Sequence, residues 1–263
     1  MLASPDVESD QLILASNTAK AVVDVSAGGR LASLVVHDVE LLVTHHEDPI
    51  FWGCYPMVPF AGRIRNGEFT FDGTTYAMPK NFGDHAMHGY GFVSPWGRTT
   101  EDAIALDFTE PWPFAGRVEQ HFSIDDERLT MTMTVNAAER QPMMLGWHPW
   151  FNKSTALGNA VLDFQPGAMF ERGDQPLPTG ALVEPKPRPW DDCFTDVRSM
   201  PSISWGELRV SLESDASHWV VFDELDHAIC VEPQTEPPNS FNLSPTILDE
   251  GDQLELTFSI VWT

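Results

Sequence analysis

Apolar and threonine side chains alternate strictly in Leu129-Thr130-Met131-Thr132-Met133-Thr134-Val135. Because successive side chains of a β-strand point to opposite faces of a sheet, this pattern predicts a strand with one buried face. The period of two returns near the C-terminal end, in 254–262, where every second residue is apolar. Residues 69–76 carry Asp-Gly between two short runs of strand-forming residues, which predicts a hairpin.

Other short strands are predicted from the same alternation and from the Gly, Pro and Asp residues that separate them. They lie at 11–15, 20–26, 31–36, 103–108, 118–124, 160–164, 208–213, 218–222 and 228–232. Helical periodicity nowhere persists beyond a turn or two. We therefore predict an all-β chain with few short helices, folded as one large antiparallel β-sandwich domain over 1–263. The Pro- and Gly-rich segment 173–190 is expected to be a long surface loop within it.

The charge balance restricts the possible partners. The chain has 39 acidic and 15 basic residues among 263, a formal net charge of -24. With this charge we expect no nucleic-acid binding, because such binding depends on Lys and Arg neutralising phosphates. An anionic membrane surface is disfavoured for the same reason. We expect a small-molecule ligand and a monomer or homodimer.

The sequence lacks metal-binding cysteine spacing, a secretory signal and a membrane-spanning stretch, and these features bear on cellular location and cofactor use. Cys54, Cys193 and Cys230 are widely spaced, without metal-binding spacing, which favours reduced thiols. The first ten residues lack the basic and apolar regions of a secretory signal. No apolar stretch reaches the length needed to cross a bilayer. We expect a cytoplasmic protein with neither a metal nor an organic cofactor.

One titratable imidazole stands among three aromatic rings in Gly146-Trp147-His148-Pro149-Trp150-Phe151-Asn152. Apolar surroundings favour the neutral form of His148, because desolvation penalises the charged form. Its ordinary pKa near 6.5 allows proton exchange at neutral pH. Pro149 favours a strand end, which would place the imidazole at the mouth of a sheet rather than at its middle. A packed core histidine is an equally good interpretation of this stretch alone.

Basic and imidazole side chains occur together in two further segments. Arg63 and Arg65 are separated by one residue, so on an extended strand they would point the same way, toward a sugar hydroxyl or a carboxylate. A salt-bridged surface pair is the alternative. His85 and His88 have a spacing that suits a metal only on a helix, and the surrounding glycines and prolines argue against one. We interpret His88 as a hydrogen-bonding imidazole beside a pocket.

Carboxylates complete the candidate set. Asp191 and Asp192 follow a tryptophan, an arrangement that suits polyol binding but is also common in turns. Glu232 ends an apolar strand, where burial would raise its pKa and make it a proton acceptor near neutrality. A salt bridge to an arginine is the alternative for this residue. Glu236, further along a proline-rich loop, is expected to be solvated.

Taken together and in this order, these segments resemble the aldose 1-epimerase (mutarotase) family of the galactose mutarotase type. The resemblance rests on Ala-Gly-Arg-Ile at Arg63, His-Gly at His88, Gly-x-His-Pro-aromatic-Phe at His148, Asp-x-x-Phe at Asp191 and Glu-x-Gln…Pro at Glu232. It implies a large antiparallel β-sandwich and no cofactor or metal. It also implies that His148 is the general acid and Glu232 the general base, while Arg63, His88 and Asp191 hold a free aldose such as glucose or galactose.

The chain departs from the resemblance in its short length and at Asp192, where many relatives have a histidine. A shift by one residue would make Asp192, not Asp191, the sugar-facing carboxylate. Three other functions stay open. An epimerase of hexose 6-phosphates would need further cations, such as Arg65 with Lys80 or Arg98. A catalytically silent carbohydrate-binding protein would lack the acid or the base, and a glycosidase would use paired carboxylates and not a histidine.

Overall fold

The computed structural model describes residues 11–173, 175 and 177–263. These residues form 28 strands and four one-turn 3-10 helices at Pro49–Phe51, Arg65–Gly67, Gly91–Val93 and Ser240–Asn242. The strands are β1 (Gln11–Ala15), β2 (Ala19–Asp24), β3 (Arg30–Val36), β4 (Val39–Glu40), β5 (Cys54–Met57), β6 (Arg63–Ile64), β7 (Glu68–Phe71), β8 (Thr74–Ala77), β9 (Ala86–Met87), β10 (Gly97–Arg98), β11 (Ala103–Asp107), β12 (Gly116–Ile124), β13 (Arg128–Ala137), β14 (Gln141–Met143), β15 (Gly146–Pro149), β16 (Phe151–Asn152), β17 (Ser154–Thr155), β18 (Gly158–Asn159), β19 (Val161–Asp163), β20 (Ala168–Arg172), β21 (Pro178–Val183), β22 (Asp191–Thr195), β23 (Ser202–Trp205), β24 (Leu208–Ser214), β25 (His218–Phe222), β26 (Ala228–Gln234), β27 (Thr246–Leu248) and β28 (Gln253–Trp262). Within the part of the chain so described, no helix has the length and apolar character needed to cross a bilayer.

Two large antiparallel sheets dominate the structure. The larger sheet has the order β1-β2-β3-β5-β15-β26-β25-β22-β20-β21, with β16 beside β26 and β4 beside β3. The second has the order β10-β11-β12-β13-β28-β24-β23-β19. Four smaller pairs, β14-β27, β17-β18, β6-β9 and β7-β8, complete the described strands. The predicted all-β antiparallel architecture is confirmed.

Side chains from the two sheets meet in one hydrophobic core. Trp147 of β15 packs against Phe258 of β28 with ring centroids 6.2 Å apart. Its indole N–H donates to the amide oxygen of Gln120 on β12, at 3.4 Å. The alternating residues of β13 and β28 that the sequence places on one face, such as Met131 and Phe258, are fully buried. Because neighbouring side chains of a strand point to opposite faces, His148 lies on the face of the larger sheet that points away from this core.

The predicted strands agree with the structure to within two residues at each end. The long loop predicted at 173–190 is wrong in part, because Pro178–Val183 forms the edge strand β21, paired with β20. Pro178 is the first residue of that strand, a position where the missing N–H costs no ladder hydrogen bond. Asp174 and Pro176 of this segment lie outside the described residues, as do residues 1–10, on which the expectation about a secretory signal rests.

Candidate active site

A cavity opens on the outer face of the larger sheet, with about 850 Å³ of space including its mouth. Small-molecule sites commonly have volumes of about 300–1,000 Å³. The five residues singled out in the sequence all line it: Arg63, His88, His148, Asp191 and Glu232. The fold therefore brings together side chains that come from five separate segments of the chain.

The strand register places His148 and Glu232 opposite each other in this cavity. Gly146 of β15 lies opposite Gln234 of β26 in an antiparallel pairing. His148 follows two residues after Gly146 and Glu232 precedes Gln234 by two, so the same register places them opposite each other. The His148 Nε2 atom lies 3.2 Å from Glu232 Oε1. Sheet geometry, and not loop conformation, holds the imidazole against the carboxyl group.

Prolines interrupt the ladder around this pair. Pro149 ends β15, as predicted, and Pro233 lies beside Glu232 in β26. Neither has a backbone N–H to donate. The backbone N–H of Trp150 donates instead to the carbonyl of Gly53, at 2.8 Å. His148 therefore lies near the end of β15, and β15 itself is flanked by β5 on one side and β26 on the other.

Aromatic rings enclose the imidazole. His148 is 4 % exposed and lies between Tyr55, with ring centroids 4.8 Å apart, and Trp150, at 5.1 Å. Burial in this apolar stack lowers the pKa of His148 to about 3. The sequence prediction that the neutral imidazole is favoured agrees with this shift.

The carboxyl group opposite it is equally enclosed. Glu232 is 2 % exposed, and burial, followed by the nearby Asp191 charge, raises its pKa well above the ordinary value. The Gln234 amide donates to Glu232 Oε2 at 3.0 Å. Both shifts favour the arrangement in which Glu232 holds the proton and His148 is neutral. The two side chains behave as one coupled group that holds a single proton.

His88 supplies a hydrogen-bond donor. Its Nδ1 accepts from the backbone N–H of Gly62 at 3.2 Å, which places the ring proton on Nε2. Burial, then the proximity of His148 and of Arg63, lowers the pKa of His88 well below its ordinary value, so the ring is neutral. Its Nε2 is buried and has no hydrogen-bond partner among the described residues. Since His88 lines the cavity, this N–H is available to a ligand oxygen.

Arg63 and Arg65 lie in different surroundings. Arg63 lines the cavity and stacks over the Phe82 ring, with 5.3 Å between its guanidinium carbon and the ring centroid. Strand β6 ends at Ile64, so Arg65 begins a turn and lines a separate open groove. The expectation that both point the same way is therefore wrong. His85 is buried and does not line this cavity.

The two neighbouring aspartates have different environments. Strand alternation puts Asp191 on the face of β22 that corresponds to Glu232, and its side chain is 25 % exposed. The Asp192 side chain has no exposed surface and pairs with Lys186 at 2.8 Å. Both line the cavity, and Arg172 reaches them at 3.3 Å and 3.7 Å. The register favours Asp191 as the ligand-facing carboxylate.

Sequence reasoning missed Arg172 and the aromatic walls. Arg172 is a single cation at the end of β20, with no motif around it, and only the fold carries it to the cavity. Phe222 of β25 and Trp150 also line the cavity, with ring centroids 6.0 Å apart. Glu236 was wrongly expected to be solvated: it is half-buried and accepts from the Thr246 hydroxyl, and burial raises its pKa.

The architecture and the cavity together define a β-sandwich of the galactose mutarotase-like class. A solved galactose mutarotase-like protein from Clostridium acetobutylicum has the same fold, with a TM-score of 0.83 and 18% identity over 95% of this chain and 94% of that one. Residues 11–259 match the family model of aldose 1-epimerase, and the chain belongs to that family. The resemblance found in the sequence is confirmed.

Two curated relatives match shorter parts of the chain. The uncharacterized protein YphB of Escherichia coli is 32% identical over 105 residues, which cover 37% of this chain and 36% of YphB. A protein of Arthroderma benhamiae named "Probable aldose 1-epimerase" is 28% identical over 201 residues, which cover 59% of this chain and 45% of that protein. This chain thus matches less than half the length of either relative.

Proposed function

We propose that the protein is an aldose 1-epimerase that interconverts the α and β anomers of a free aldose such as glucose or galactose. The observation that carries the proposal is the facing pair, with His148 Nε2 3.2 Å from Glu232 Oε1 at the cavity surface. Membership of the aldose 1-epimerase family supports it. The reaction needs no oxidant, reductant or group donor.

The chemistry requires two proton transfers at neighbouring atoms. Ring opening removes a proton from the anomeric hydroxyl and delivers one to the ring oxygen, and both oxygens are bonded to the same carbon. Glu232 accepts the hydroxyl proton while His148 protonates the ring oxygen, which gives the open aldehyde. Rotation about the C1–C2 bond presents the other carbonyl face, and the reverse transfers close the opposite anomer. Each transfer contributes on the order of 10²–10⁴-fold in rate.

Binding of the sugar shifts the proton within this pair. Burial favours protonated Glu232 and neutral His148. The proposed reaction begins with the proton on His148, and one transfer across the 3.2 Å contact achieves that. Hydroxyl groups that donate to the Glu232 carboxylate stabilise its charged form, as does the nearby Arg63.

Other cavity residues suit the remaining hydroxyls. The Nε2–H of His88 and the guanidinium of Arg63 donate, and the carboxylate of Asp191 accepts. The rings of Trp150 and Phe222 line the cavity and offer apolar surface for the C–H faces of a pyranose. The cavity wall thus offers hydrogen-bond donors, an acceptor and aromatic rings, the kinds of group that bind a monosaccharide.

Hexose 6-phosphates are the less favoured substrates. A phosphate group would require additional cations in the cavity. Arg65 lines a different groove, and the exposed Arg98 donates to the carbonyl of Thr100. The cavity cation Arg172 already pairs with Asp191. We therefore assign an uncharged sugar to the site.

The test compares matched variants in one assay. Freshly dissolved α-glucose and α-galactose, and their 6-phosphates, are followed by polarimetry and NMR exchange spectroscopy. We expect Glu232→Gln and His148→Asn to lower the interconversion rate by at least about a hundredfold. Glu236→Gln and His85→Asn change the same chemical groups outside the cavity and should retain the wild-type rate.

Wild-type rates in both Glu232→Gln and His148→Asn would remove the proposed acid and base. Faster turnover of the 6-phosphates than of the free sugars would show that sugar phosphates, and not free sugars, are the preferred substrates. Sugar binding without interconversion in the wild type would favour a silent carbohydrate-binding protein. Hydrolysis of glycosides by His148→Asn would favour a glycosidase.

A further inference from the structure

Three buried side chains of different donor type converge beside the acid/base pair. Ligand atoms of His148, Cys230 and Glu232 all lie within 4.8 Å of one another. Cys230 and Glu232 are two residues apart on β26, so both face His148 across the strand gap. We propose that these three residues form a binding site for a thiophilic divalent cation, Zn²⁺, and that occupation of this site inhibits the enzyme.

The donor set matches zinc. Imidazole nitrogen, thiolate sulfur and carboxylate oxygen are its usual ligands, and three protein ligands with one open position are common at reactive zinc sites. Metal–ligand lengths of about 2.0–2.3 Å place tetrahedral ligand atoms roughly 3.3–3.6 Å apart. The 3.2 Å contact between His148 Nε2 and Glu232 Oε1 is already close to that spacing. From the 4.8 Å limit on the separation of the three ligand atoms, a contraction of about 1.2–1.5 Å at most brings Cys230 Sγ to that spacing.

The surroundings favour a cation once the ligands ionise. The three side chains are at most 4 % exposed, and burial, with the nearby Asp191 charge among the further causes, raises the pKa of both Cys230 and Glu232. Binding of Zn²⁺ releases the thiol proton of Cys230 and the carboxyl proton of Glu232, so two protons leave for each metal ion bound. His148 is neutral and binds through its Nε2 lone pair. The ion enters from the cavity, which His148 and Glu232 line.

Inhibition follows from the shared ligands, and this part rests on the proposed function. A bound Zn²⁺ occupies the Nε2 lone pair of His148 and the carboxylate of Glu232, so neither can exchange a proton with the sugar. Zinc and sugar should therefore compete. The metal is an inhibitor here and no part of the reaction.

Cobalt spectroscopy tests the site without reference to activity. The full chain, treated with EDTA and then freed of it, is titrated with Co²⁺ and Zn²⁺. We expect one Co²⁺ per chain with sulfur-to-cobalt charge-transfer absorption, removed by added Zn²⁺. Cys230→Ala should lose this absorption and weaken Zn²⁺ affinity at least about tenfold. Cys54→Ala is the matched control, because Cys54 is also a buried free thiol but lies outside the three-residue group.

An activity arm completes the test. Zn²⁺ should inhibit wild type and Cys54→Ala competitively with the sugar, and Cys230→Ala should keep basal activity and need at least about tenfold more Zn²⁺. If Cys230→Ala does not fold by tryptophan fluorescence, Cys230→Ser takes its place. Equal zinc affinity in wild type and the Cys230 variant, or absence of the charge-transfer band, would overturn the proposal. A Cys230-dependent band in a chain that lacks epimerase activity would support the metal site and contradict the proposed function.

Discussion

Opposite pKa shifts in one buried pair predict a distinctive dependence of stability on pH. The ordinary pKa values are 6.5 for histidine and 4.5 for glutamate; in the folded chain His148 falls to about 3 and Glu232 rises. The stability from neutral His148 is present above pH 6.5 and lost as pH falls. The stability from protonated Glu232 is present below pH 4.5 and lost as pH rises through its folded pKa. Between pH 4.5 and 6.5 both folded and unfolded chains carry about one proton on the pair, so these effects cancel.

Single substitutions remove this cancellation in opposite directions. In Glu232→Gln only His148 titrates, and the unfolded chain takes up a proton that the folded chain does not, so stability falls as pH drops from 6.5 to 4.5. In His148→Asn only Glu232 titrates, and stability rises over the same interval. A full one-proton difference is worth about 1.4 kcal/mol per pH unit. Allowing for partial titration at the ends, each variant should shift by about 2 kcal/mol relative to wild type, with opposite sign.

Urea denaturation followed by tryptophan fluorescence measures this effect, since the chain has nine tryptophans. The free energy of unfolding is compared at pH 4.5, 5.5 and 6.5 for wild type and both variants. Taking differences from wild type cancels the other titrating groups. His121→Asn, at an exposed position, is the control for loss of an imidazole. Slopes of the same sign in the two variants, or curves parallel to wild type, would refute the one-proton pair.

Three other outcomes are expected at or near the site. Asp191→Asn should raise KM for the sugar, whereas Asp192→Asn should mainly lower the melting temperature, because it removes the charge of a buried carboxylate that pairs with Lys186. Equal and negligible effects on KM would reject the assigned register. Arg30→Met should lower the free energy of unfolding by at least about 3 kcal/mol in denaturant titrations, because the buried guanidinium donates to four backbone carbonyls; a loss below about 1 kcal/mol would contradict this. Epimerase activity should persist in EDTA, and full loss with rescue by a divalent ion would show that a metal takes part in the reaction.

The sheets were predictable from the sequence wherever one face of a strand is buried. Alternation in 129–135 predicted the central strand β13, and alternation in 254–262 predicted its partner β28. The hairpin at 69–76 was predictable because Asp72 and Gly73 adopt the positive φ angles, 47° and 79°, that a tight turn between strands demands. These signals are local, and each strand carries its own.

Features that depend on distant segments were not predictable in this way. Strand β21 was hidden by its proline and glycine content, since an edge strand tolerates residues that a central strand excludes. Arg172 reaches the cavity only through the pairing of β20 with β22. The contact of His148 with Glu232 depends on a register between strands far apart in sequence, and the resemblance to a family, not spacing, pointed to it. Arg65 was misplaced because nothing local showed where β6 ends.

A cavity with mostly apolar walls can host this chemistry because the proton count of the pair never changes. In the proposed reaction, the proton is on His148 before ring opening; afterwards Glu232 holds the hydroxyl proton and His148 has given its own to the ring oxygen. The pair has one proton in both states, and the second state is the neutral arrangement that burial already favours. In that second state neither member of the pair carries a charge, and no proton must come from bulk water. Enclosure of His148 by Tyr55 and Trp150 is then an advantage, because it favours the uncharged pair. That uncharged pair accompanies the open-chain sugar, from which ring closure to either anomer starts.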